Sequence, residues 1–126
     1  MEIEPRSLTT SEVAPDGKTV VLGFTDGDGA PARLRIQLSE VGVLAMILPD
    51  LLTKALRIRY GDHSLRYAYP LASWKVEQLS NPETGMVTLS TTDGFSVCFS
   101  MQTELQQELG RELTSHHAPG VQLRIN

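Results

Sequence analysis

The stretch "VVLGFTDGDGAPARLRIQLS", Val20 to Ser39, decides the fold, because its acidic, glycine-rich centre has two readings. One is a calcium loop and the other is a hairpin turn. An EF-hand loop needs oxygen ligands at positions 1, 3 and 5, a glycine at 6 and a bidentate glutamate at 12. Counted from Asp26, position 5 is Ala30, position 6 is Pro31 and position 12 is Gln37; counted from Asp28, position 12 is Ser39. Both registers fail. The hairpin reading succeeds, because Asp-Gly is strong turn chemistry and the flanks alternate. Val20, Leu22 and Phe24 fall on one face of the first strand. Leu34, Ile36 and Leu38 fall on one face of the second, with Arg33, Arg35 and Gln37 on the other.

Working outward, "RSLTTSEV" (Arg6 to Val13) reads as an edge strand, ended by the turn "APDG". After the hairpin, Ser39 is the expected N-cap of a helix from about Glu40 to Arg57. Pro49 lies inside it, so a kink or two short helices are expected there. The half up to Leu48 is apolar on most sides and should be well buried, in this chain or against a second copy.

The second half repeats the pattern. In "YPLASWKVEQL", Ala72, Trp74 and Val76 alternate with Ser73, Lys75 and Glu77. "MVTLSTTDGFSVCFSM", Met86 to Met101, carries a tight Asp93-Gly94 turn, and Phe95, Val97, Phe99 and Met101 are expected to face inward. Thr103 is the expected cap of a second helix, with Gln106 at capping-box spacing and Leu105, Leu109 and Leu113 as its apolar stripe. "VQLRI" is expected to add a short final strand.

The expected fold is therefore α+β. Two successive strand-strand-strand-helix units, a pseudo-repeat over 6–57 and 66–115, form an antiparallel sheet or open barrel with helices on one face. The 126 residues are read as a single domain, with 40% hydrophobic and 21% charged residues as in ordinary globular chains. The lone Cys98 excludes an intramolecular disulfide and a cysteine-based zinc site within one chain. The opening residues, with Glu2 and Glu4, lack the basic and apolar stretches expected of a signal peptide, and the apolar run Val41 to Leu48 is too short to span a bilayer. A cytoplasmic location away from the membrane is expected. The formal charge of −4 argues against a dedicated nucleic-acid binder.

The conspicuous polar segment is "IRYGDHSLRYAYPL", Ile58 to Leu71. Asp62, His63 and Ser64 are consecutive, and a catalytic triad needs side chains converging in space rather than neighbours in sequence, so "GDHS" reads as a polar turn. Arg57, Arg59 and Arg66 interleave with Tyr60, Tyr67 and Tyr69. From Leu51 to Val76 there are five Lys or Arg against one Asp, a local balance of +4 that leaves −8 for the rest. Arginine and tyrosine are residue types that anchor protein interfaces. The candidate ligand- or partner-binding residues are accordingly Arg57, Arg59, Tyr60, His63, Arg66, Tyr67 and Tyr69. His116 and His117 lack a third ligand at sensible spacing, and Cys98 lacks a local base. No catalytic residue, metal or cofactor is assigned.

The sequence thus points to a small soluble domain of bacterial type. The expected function is a non-enzymatic protein-interaction or assembly module, most simply a homodimer, with a further protein partner allowed. The competing expectation is a small-molecule-binding protein or enzyme with a pocket near Arg59, His63, Arg66 and Tyr67.

Overall fold

A computed structural model describes residues 1–115. His116, His117 and the expected final strand lie outside the described residues. The chain forms two compact units, Met1–Gly61 and a second beginning at Asp62. The first comprises β1 (Ser7–Val13), β2 (Thr19–Thr25), β3 (Pro31–Gln37) and α1 (Leu38–Tyr60). The second comprises β4 (Ser73–Gln78), β5 (Thr84–Ser90), β6 (Ser96–Gln102) and α2 (Thr103–Thr114). Each unit holds a three-stranded antiparallel meander with its second strand in the centre. The fold is α+β, with two separate sheets and no closed barrel among the described residues.

The two units repeat one another residue by residue. Gln37 and Gln102, 65 positions apart, precede their helices with the same backbone angles, φ −68 with ψ 147 and φ −68 with ψ 148. The first helical amide still belongs to the sheet in both. Leu38 N donates to Lys18 O at 3.0 Å, and Thr103 N donates to Glu83 O at 2.8 Å. The hairpin turns match as well. Asp26 N donates to Ala30 O at 2.9 Å and Thr91 N to Phe95 O at 2.8 Å. Gly29 and Gly94 take the same left-handed corner, at φ 84 and φ 92, which a side chain would strain. The same displacement therefore holds without a gap from Lys18/Glu83 to Leu38/Thr103.

Side chains then sort by register. On one face of the first sheet Val20 pairs with Ile36, Leu22 with Leu34 and Phe24 with Ala32. Leu8 and Val13 of β1 join that face beside Phe24 and Val20. On the opposite face the Arg33 guanidinium reaches Glu12 at 3.6 Å. Their register partners are Gly23 and Val21, so this exposed bridge straddles β2. A bulge shifts the β1 register between Leu8 and Thr10. There Gly23 leaves no room for a Cβ, which would overlap the Thr10 hydroxyl. In the second sheet Trp74 pairs with Leu89, Val76 with Val87, and Leu89 and Val87 in turn with Val97 and Phe99.

Faces are shared as alternation dictates, yet they are hardly covered. Among the described residues the buried large apolar side chains are Val21, Phe24 and Leu65, and neither helix contains a buried residue. Leu34, Phe95, Val97, Phe99, Leu105, Leu109 and Leu113 are all exposed. The expectation that the first half of α1 would be well buried is not met within the chain: Val41 and Leu44 are only half-buried.

Three local expectations are corrected. Pro49 does not split the helix into two; α1 is a single element of 23 residues. The leucine-rich flanks favour helix strongly enough to carry it through the missing N–H. Ser39 is not the N-cap, because β3 runs straight into α1 and Gln37 occupies that position without a side-chain cap bond. Thr103 likewise lies inside α2. Its hydroxyl donates to Pro82 O at 3.0 Å, and Gln106 Nε2 donates to Met101 O at 3.2 Å, so no capping box forms.

Candidate functional site

The candidate residues divide between the two units. Arg57, Arg59 and Tyr60 form the last turn of α1, where cations favour the negative end of the helix. Gly61 stops the helix in the left-handed region, at φ 62, with its N–H donating to the Arg57 carbonyl. The Arg59 guanidinium lies 5.5 Å from the Tyr60 ring centroid. An exposed contact of this kind contributes about 0.5–1 kcal/mol.

The second unit opens on the turn that "GDHS" predicts. Asp62 Oδ1 accepts from Ser64 N at 2.9 Å and from Ser64 Oγ at 2.7 Å, closing the loop on itself. His63 projects from this turn and is exposed. The Asp62 oxygen facing this turn therefore serves Ser64, and Leu65 beyond it is buried.

Tyr67 and Tyr69 do converge with something, and the sequence reading missed the partner. Their rings meet edge to face at 5.2 Å, and Tyr69 stacks on Phe95 at 4.7 Å. Each such pair is worth about 0.5–1.5 kcal/mol beyond area burial. The cause is topological. Ala72 N donates to Ser90 O at 2.9 Å, so the run leading into β4 lies beside the β5–β6 turn. A hollow of ≈ 290 Å³ results, lined by Tyr67, Ala68, Tyr69, Pro70, Thr91, Thr92, Asp93 and Phe95. His63 and Arg66 are not among its lining residues. The usable signal was hairpin pairing, which places whatever precedes β4 against the next turn.

Asp93 has a specific electrostatic setting. The Thr91 hydroxyl and then the Phe95 amide donate to its carboxylate and hold its pKa below the ordinary aspartate value. The folded pKa is depressed, so this contribution to stability is present above the unfolded pKa. It is lost as pH falls through the folded one. A carboxyl NMR titration is expected to place the Asp93 midpoint below that of an unstructured aspartate, and Thr91→Val to raise it. An unchanged midpoint in that variant would contradict the assignment. The first unit achieves the same turn differently: Asp26 Oδ1 accepts from Asp28 N and Ala30 N, both at 2.9 Å. "DGDG" is therefore turn chemistry, with the acid closing its own hairpin.

No group of three His, Cys, Asp or Glu side chains among the described residues is placed to hold a metal ion. No helix among them is long and apolar enough to cross a membrane. No protein family, curated protein or solved structure matches the chain.

Proposed function

We infer that this chain is a non-enzymatic protein-interaction or assembly module that works as a homodimer. The observation that carries the reading is the apolar surface left exposed along α1 and on the face of the second sheet that alternation assigns to a core. Along α1, Val43, Met46, Ile47, Leu48, Leu51 and Leu52 are all exposed, with Val43, Ile47 and Leu51 following one another at four-residue spacing on one side. In the second sheet Trp74, Val76, Val97 and Phe99 are exposed together on one face. Soluble monomers rarely display contiguous apolar patches of this kind, and patches rimmed by polar groups mark interaction sites. Charged pairs lie near these surfaces: Lys54 and Asp50 bridge at 2.9 Å on α1, and Lys75 and Glu77, 3.7 Å apart, occupy the opposite face of β4. Aromatic anchors such as Trp74 and Phe99 are the residue types that dominate interface energetics.

Hydroxyl-radical footprinting tests this reading against an internal standard. In the single chain Met46 is 83% exposed and Trp74 69%, with Met1 fully open at the terminus. In the assembled protein Met46 and Trp74 are expected to react several-fold more slowly than their exposure in one chain implies, and Met1 at its full rate. Equal reactivity of all three, scaled for residue type, would overturn the reading.

A further inference from the structure

A three-stranded sheet has two free edges, and proteins blunt such edges with prolines, charges or bulges. Three of the four strands at issue follow this rule. β1 carries the bulge near Thr9 and Glu12, β3 carries Pro31, Arg33 and Arg35, and β4 carries Lys75 and Glu77. β6, "SVCFSMQ", has no charge, no proline and no bulge, and it pairs with β5 in unbroken register from Thr84/Gln102 to Ser90/Ser96.

The contrast is sharpest between β3 and β6, which are equivalent strands of the repeat. In an antiparallel ladder the backbone groups of alternate residues point to opposite edges. Thr91 N bonds Phe95 O and Thr103 N bonds Glu83 O, so the odd-numbered residues of this strand face β5. Ser96, Cys98 and Ser100 therefore turn their N–H and C=O groups to the edge that carries no further strand among the described residues. The same alternation in the first unit runs from Asp26 N on Ala30 O to Leu38 N on Lys18 O. It turns Pro31, Arg33 and Arg35 outward. One edge of the duplicated motif offers a missing donor and two cations. The other offers three complete amide and carbonyl pairs beside small uncharged side chains.

We propose that β6 is a dimerisation edge, to which the β6 of a second copy adds antiparallel about a two-fold axis at Cys98. This rests on the assembly reading above and names its surface. The register uses every outward group: Ser96 opposes Ser100 of the second copy, Cys98 opposes Cys98, and Ser100 opposes Ser96. About six inter-chain hydrogen bonds result, two for each opposed pair. On the other face Val97 of each copy lies opposite Phe99 of its mate, so the exposed apolar faces join across the seam. A second copy is the fitting occupant because the strand is self-complementary under this operation: no like charges meet. The corresponding operation on β3 would set Arg33 against Arg33 of the second copy and Pro31 against Arg35.

Engineered cysteines read the register directly. Residues directly opposite in hydrogen-bonded pairs have Cα atoms about 5.5 Å apart, within disulfide reach. The full chain is made as C98S/S96C and as C98S/S100C. Under mild oxidation the mixture is expected to give a disulfide heterodimer at least about tenfold faster than either variant alone, because only positions 96 and 100 face each other. Cys98→Pro supplies the second arm. The Cys98 N–H points outward, so proline removes no bond to β5, a placement edge strands tolerate. The substitution is expected to weaken dimerisation by about 30-fold or more while the far-UV circular dichroism is unchanged, since two inter-chain bonds are lost and the ring blocks approach. Should the Cys98→Pro chain fail to fold, S96K/S100K gives the same readout by setting lysines opposite one another. A dimer that survives these substitutions, or a mixture that cross-links no faster than its components, overturns the β6 edge and leaves the assembly reading standing. A wild-type chain that is monomeric throughout overturns both.

Discussion

Phe24→Ala is expected to cost about 3–5 kcal/mol, the usual range for a buried phenylalanine. Phe24 is 7% exposed, the most deeply placed aromatic side chain among the described residues. It sits near the end of β2, the central strand of its sheet, between Leu8 of β1 and Ala32 of β3. Neither neighbour can fill the space, because alanine is small and Leu8 lies on an edge strand. With so few buried side chains, a loss of this size is a large part of the roughly 5–15 kcal/mol that stabilises a typical domain. Chemical denaturation followed by circular dichroism measures it. A cost below about 1 kcal/mol would mean that Phe24 is not part of the core.

The second large effect comes from a place where the two units trade volume. The repeat equates Gly85 with Val20 and Gln106 with Val41. Gly85 is buried, and a Cβ built there meets Gln106 Nε2 at 2.5 Å and the Glu77 carbonyl at 3.1 Å. The first unit has a valine at each position where the second has a glycine under a glutamine. Gly85→Val is therefore expected to destabilise by about 1–3 kcal/mol through overpacking. Gly85→Val with Gln106→Val installs the first unit's pair and is expected to recover at least half of that loss. Thermodynamic coupling between the sites reports the exchange. Additive costs would show that the positions are not equivalent in packing.

Much of the fold was legible in the sequence because turns and alternation are local. Asp-Gly corners and period-two strands at Val20–Phe24, Leu34–Leu38 and Phe95–Met101 sufficed for the β-β-β-α order and its repetition. What failed was decided beyond the local segment. Ser39 has the chemistry of a cap, but the Leu38 amide is already held by Lys18 across the sheet, so the helix starts earlier. Gln106 has capping-box spacing, but Gly85 leaves it a place on the sheet. Alternation also tells which residues share a face without telling what covers it. Phe99 and Met101 share the side predicted, yet Phe99 is exposed. The candidate site was legible only in part. Tyr67 and Tyr69 were visible as an aromatic run, whereas Phe95, Thr91 and Asp93 join them only through strand pairing. Arg57, Arg59 and Tyr60 were grouped with His63 and Arg66 by sequence adjacency, and Gly61 ends one unit between them.

The central claim, that the exposed apolar faces belong to an interface between copies of this chain, is tested most directly by sedimentation equilibrium of the wild-type protein. The mass of one chain is 13.8 kDa. Across concentrations up to about tens of micromolar, where a stable dimer is populated by mass action, the account predicts twice that mass. A single species at the mass of one chain throughout would contradict it.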